Sequence, residues 1–96
     1  MTDAATRTFI KQTLRAHLPD PSYRFFLFGS RVIGDAHPYS DFDVGIVGKT
    51  PAPSMAMDAI KEELEESNLP VRVDVVDFLK IADSFKRVAM QNIIYL

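Results

Sequence analysis

The chain has 96 residues, 47% of them hydrophobic and 25% charged, with 11 basic and 13 acidic side chains and a formal net charge of −2. This fits one globular domain over residues 1–96 and excludes collagen-like, low-complexity and disordered classes. It offers no basic footprint for gripping a nucleic-acid backbone, no cysteine for disulfide, zinc-thiolate or thiol chemistry, and no apolar run near the roughly 20 residues that span a bilayer.

Thr2 or Asp3 is expected to cap a first helix running to about His17, with Phe9, Ile10, Leu14 and Leu18 on one face. Pro19-Asp20-Pro21 stops it, because proline lacks a backbone donor and biases the residue before it away from helix. Tyr23 to Phe28 reads as a buried strand ended by Gly29, and Ser30 to Gly34 as a short helix before a loop. Asp41 to Val47 is the second strand, with Phe42, Val44 and Ile46 pointing one way and Asp41, Asp43, Gly45 and Val47 the other. Ser54 is placed to cap a third helix to about Asn68, with Met57, Ile60 and Leu64 inward and Glu62, Glu63, Glu65 and Glu66 in solvent. Val71 to Phe78 is the third strand, with Val73, Val75 and Asp77 on one face and Arg72, Asp74 and Val76 on the other. Ala82 to Asn92 suggests a last helix with Phe85, Val88 and Ala89 inward. The apolar Ile93 to Leu96 is either a further short strand or part of a protein interface. These elements predict an α/β (α+β) domain, a small mixed three-stranded sheet flanked by about four helices. The connection between the first two strands is too short for a comfortable parallel crossover.

The chemistry concentrates between Gly29 and Asp43. Asp41 and Asp43 are one residue apart on a strand and so share a face, where their charges repel. A hard cation relieves that repulsion, and Mg²⁺ held by one or two carboxylates plus substrate phosphates is the usual arrangement. Asp74, on the third strand, can join them if the second and third strands are neighbours. Three such acids are the ligand set of a two-metal phosphoryl- or nucleotidyl-transfer site. Gly29-Ser30 supplies the other half: glycine lets a phosphate approach the backbone, and Ser30 with the amides that follow can donate to it. Arg31 adds charge, either to phosphate or to one of the acids. Asp77 is expected to cap the segment after the strand, Gly34 to serve a turn and His37 to be an exposed loop residue.

These residues resemble the signature of the minimal nucleotidyltransferases, the small branch of the DNA polymerase β-like superfamily: Gly-Ser, ten residues, then Asp-x-Asp, as in Gly29-Ser30 and Asp41-Phe42-Asp43. A later acid in the middle of an apolar strand completes that family's triad, and Asp74 fits it better than Asp77. The resemblance implies a nucleotidyltransferase fold and transfer of a nucleoside monophosphate from an NTP to a hydroxyl with release of pyrophosphate. It assigns Mg²⁺ to Asp41 and Asp43, Asp74 to a third ligand or general base, and the triphosphate of ATP to Gly29, Ser30 and Arg31. A chain this short also resembles the antitoxin of HEPN/MNT toxin–antitoxin modules, which AMPylates a tyrosine of its HEPN ribonuclease. The absence of cysteine is compatible with a cytoplasmic home, and the resemblance implies an enzyme in a hetero-oligomer with a HEPN-type partner. Two rival readings are a non-catalytic antitoxin that occludes its partner and a transferase acting on a small molecule.

Overall fold

The computed structural model describes residues 2–96; Met1 lies outside the described residues. The chain runs α1 (Asp3–His17), β1 (Arg24–Phe28), α2 (Ser30–Ile33), β2 (Phe42–Val47), α3 (Ser54–Glu65), β3 (Val73–Asp77), α4 (Asp83–Ala89) and β4 (Ile94–Tyr95). α1 begins where its cap predicts: the Thr2 hydroxyl accepts the Ala5 N–H at 3.1 Å. One of its free N-terminal donors is thereby satisfied, as a capping side chain should satisfy it. After the helix, the Arg15 guanidinium donates to the Leu18, Asp20 and Tyr23 carbonyls and so folds the proline-rich turn back toward β1.

The strands form one mixed sheet in the order β3-β2-β1-β4. β1 and β2 are antiparallel, with Phe26 opposite Gly45 and Phe28 opposite Asp43. β2 and β3 are parallel, joined through α3, with Asp43 opposite Asp74. The sheet thus has four strands where three are predicted, because Ile94–Tyr95 pairs antiparallel with Phe26 and Leu27. Of the two readings of the C-terminal residues, the strand is the one present, although Ile94 and Tyr95 stay 42% and 46% exposed.

Alternation along the strands divides the core in two. Ile10, Leu14 and Leu18 of the α1 region and Met57, Ile60 and Leu64 of α3 cover one face, packing on Phe25, Leu27, Phe42, Val44, Ile46 and Val75. His17 and Glu63 join the two helices at 2.6 Å. The opposite face carries a smaller cluster of Phe26, Phe28 and Phe78, bordered by Ala89, Met90 and Ile93. Phe26 lies directly over Gly45, where any Cβ would strike its ring.

Three local expectations are corrected. Ser54 is the first residue of α3 rather than its cap: Pro53 occupies the cap position and no side chain bonds there. α3 stops at Glu65 rather than near Asn68, where the Ser67 hydroxyl donates to the Leu64 carbonyl at 2.6 Å and draws off the backbone. Val88 is not inward but 67% exposed, and Phe85, though it rests against Phe28 and Phe78, stays 49% exposed. The last helix turns Lys86, Ala89 and Met90 toward the sheet, with Ile93 continuing that line, so Phe85 and Val88 flank it.

Candidate active site

Gly29 ends β1 and opens α2 with φ 79° and ψ −153°, a region open essentially to glycine alone. A Cβ at this position would also run into the Asp43 carboxylate. The residue therefore turns the chain sharply from strand to helix and leaves room for that carboxylate to lie against the turn. Ser30, half-buried, is the first residue of α2. The two halves of the sequence motif are thus in contact.

Asp43 pairs with Phe28 on one side and Asp74 on the other, so the three make a row across the sheet. Paired residues project from the same face, with neighbouring strands about 4.8 Å apart. Asp41 immediately precedes β2 and shares that face by alternation. Asp41 and Asp74 are exposed, whereas Asp43 is half-buried. Burial, then the charge of Asp74, then that of Asp41 push the Asp43 carboxyl above its ordinary 3.8. Such a site resists carrying its own negative charge, and a cation bound there offsets all three causes.

Among the described residues, no three His, Asp or Glu side chains close into a self-sufficient metal cage. Mg²⁺ seldom uses one: it keeps several waters and takes one or two carboxylates together with substrate phosphates. The donors present, hard oxygens at an open sheet edge beside a glycine turn, suit Mg²⁺ on those terms.

Asp77 stands apart from this row. It points to the helix-covered face, 7% exposed, with one oxygen accepting the Ala52 N–H at 2.8 Å and the other the Leu79 N–H at 2.9 Å. It thus closes the turn after β3 and fastens that turn to the start of α3. Arg31 is also engaged within the fold. Its Nε and Nη2 donate to the Ser40 carbonyl at 3.1 and 2.6 Å, its guanidinium lies 4.0 Å over the Phe42 ring, and its acidic contact is Asp3 at 3.6 Å. Arg31 therefore ties α2 to the residue before Asp41, a bracing position between the two motif halves. His37 belongs to the loop: its Nδ1 accepts the Tyr39 N–H at 3.2 Å. Phe28 reads from its strand as a core residue and not as a member of the acid row. Its position directly before Gly29, on a strand antiparallel to β2, is the signal that would have put it there.

The nucleotidyltransferase domain family matches residues 7–96. The chain belongs to that family. This nucleotidyltransferase domain is 39% identical over 79 residues to the probable protein adenylyltransferase MntA of Haemophilus influenzae, covering 82% of this chain and 68% of that protein. Among solved structures it resembles a toxin–antitoxin with AMP-PNP, at 23% identity and a TM-score of 0.67, over 88% of this chain and 70% of the other. It also resembles a mutant of the toxin–antitoxin MntA–HpeT, at 24% identity and a TM-score of 0.72, over 94% and 70% of the two chains. At these identities the solved structures speak to the fold, and the fold agrees with the family. No helix among the described residues is long and apolar enough to cross a membrane.

Proposed function

We propose that this nucleotidyltransferase domain transfers AMP from ATP to a hydroxyl of a partner protein and acts as the antitoxin of a toxin–antitoxin pair. The acceptor is a tyrosine on a HEPN-type ribonuclease toxin. The observation that carries this reading is the 39% identity to MntA, whose name gives a protein adenylyltransferase. The row of acids beside the Gly-Ser turn supports it with a matching chemistry.

In this reading Asp41 and Asp43 hold Mg²⁺, with Asp74 as third ligand or general base. Bound there, the ion supplies positive charge against the charge that develops on the transferring phosphoryl group. Gly29, with no side chain at the turn, lets the Asp43 carboxylate and the triphosphate meet there, and Ser30 and the first amides of α2 donate to the phosphate oxygens. Arg31 braces the Gly-Ser turn against the residue before Asp41, keeping phosphate and metal positions in register. Asp74 takes the proton of the acceptor hydroxyl. The acceptor oxygen bonds to the α-phosphorus, the bond from that phosphorus to the bridging oxygen breaks, and pyrophosphate leaves with the electron pair.

The experiment is incubation of the chain with its partner protein, ATP labelled at the α-phosphate, and Mg²⁺. The partner should gain label and lose toxicity, and Asp43→Asn should do neither. A wild type that labels nothing, or an Asp43→Asn variant that labels equally well, overturns the proposal. Neutralisation that persists without any label identifies occlusion instead.

A further inference from the structure

The open face of the sheet carries more than acids. Phe28, the strand partner of Asp43, is 7% exposed and packs against Phe78 with ring centroids 5.1 Å apart. Over these two rings lies Phe85 of α4, with its centroid 6.2 Å from each and nearly perpendicular to Phe28 at 89°. Two buried rings thus fix the orientation of a third that is 49% exposed. Directly opposed strand residues bring their Cβ atoms to within about 5 Å. Phe85 is thus linked to the Asp43 row through Phe28, by one ring contact and one strand pairing.

A nucleoside triphosphate with its phosphates at Gly29-Ser30 and Asp43 can lay its sugar and base along this face. α1 and α3 cover the other face, and the sheet itself lies between. We propose that Phe85, held by Phe28 and Phe78, is the platform on which the base of the nucleotide substrate stacks. This inference rests on the nucleotidyl-transfer reading and adds to it the place of the base. An apolar ring reads the π-face of a base and not its hydrogen-bonding edge. The platform therefore favours purines over pyrimidines through their larger stacking area and does not separate adenine from guanine.

The chain contains no tryptophan, so Phe85→Trp introduces a single tryptophan, excited selectively over the three tyrosines, and keeps a ring for stacking. Its emission should be quenched by ATP with Mg²⁺ and left unchanged by inorganic triphosphate with Mg²⁺, which lacks a base. Calorimetry should show Phe85→Ala binding ATP about tenfold more weakly than wild type while binding inorganic triphosphate equally well. The preference of wild type for ATP over CTP should narrow in the same variant. If Phe85→Ala fails to fold, Phe85→Leu, which keeps apolar bulk without a flat ring, carries the same expectation. Unchanged Trp emission at saturating ATP, or wild-type ATP affinity in Phe85→Ala, overturns the platform and leaves the transfer reading standing. Failure of the wild type to bind either ATP or inorganic triphosphate overturns both.

Discussion

The two faces of the sheet are built from the same strands and do opposite things. The face under α1 and α3 is closed and mainly apolar: Ile10, Leu14, Val44, Ile46 and Ile60 are fully buried. The other face is aromatic at its centre and acidic at one end, and its helix, α4, has seven residues and leaves Phe85 and Val88 in water. Two-residue alternation lets both faces exist in one strand: Val44 and Ile46 fill the first while Asp43 and Gly45 serve the second. Stability is concentrated where apolar area is buried, so the open face can hold charges that repel one another without unfolding the domain.

The largest effect should come from the open face and be purely chemical. Asp74→Asn should slow AMP transfer by roughly 10²- to 10⁴-fold, the span of a lost general base. Because Asp74 is exposed, urea denaturation should show little change. A large loss of stability with intact transfer would break the division between the faces. The converse is Ile46→Ala, which should cost about 2–5 kcal/mol of unfolding free energy in the same denaturation. Nucleotide affinity per folded molecule should be kept.

Gly29→Ala tests the seam where the two regions meet. It forces a non-glycine residue into a glycine-only conformation, a strain of about 1–3 kcal/mol. It also drives a methyl group against the Asp43 carboxylate. Both the thermal midpoint and ATP binding should fall together, whereas a change in only one would separate the turn from the acid.

Asp43→Asn should act in opposite directions on function and stability. The Asp43 carboxyl is raised in the folded state, so folding binds its proton more tightly than the unfolded chain does. The stability linked to it is fully present below the ordinary carboxylate value and lost as pH rises through the raised folded value. Metal-free melts between about pH 4 and pH 7 should therefore show the wild type losing stability that Asp43→Asn, neutral throughout, retains. A variant that melts lower than wild type across this range would mean that the charge is compensated within the fold. The smallest effect belongs to the surface of the covered side. His17→Gln, which breaks the partly exposed pair with Glu63, should change stability by less than about 1 kcal/mol.

Much of this arrangement is legible in the residues because it follows from short-range rules. α1 has a cap, an apolar stripe and a proline stop, and it forms over the expected residues. Asp41 and Asp43 share a face through alternation alone, and Asp74 and Asp77, an odd number of positions apart, must take opposite faces of their strand. Register is different, because it depends on which strands meet. That Asp43 stands between Phe28 and Asp74 follows from pairing that no single strand encodes. The fourth strand has two residues, too few for any period to register. In α4, two apolar lines compete, one through Phe85 and Val88 and one through Ala89, Met90 and Ile93. The second lies against the Phe26, Phe28 and Phe78 cluster, while Phe85 touches Phe28 and Phe78 but stays half exposed and Val88 lies in solvent. Arg31 reads as a phosphate ligand from its charge and place, while its bonds to the Ser40 carbonyl depend on how the loop closes.

The mixed topology also sets an order of assembly and of failure. Gly29, Ser30, Asp41 and Asp43 all belong to the contiguous antiparallel unit β1–α2–β2, whose contacts are local and close early at little loop entropy. Asp74 arrives only after α3 has carried the chain across to β3, which lies at the edge of the sheet and is paired on one side alone. Edge segments of this kind open before the core does. A molecule in which β3 has peeled away keeps the glycine turn and the paired acids but loses Asp74, the residue proposed to take the acceptor's proton. Under mild denaturation the domain should therefore stop transferring before it stops binding.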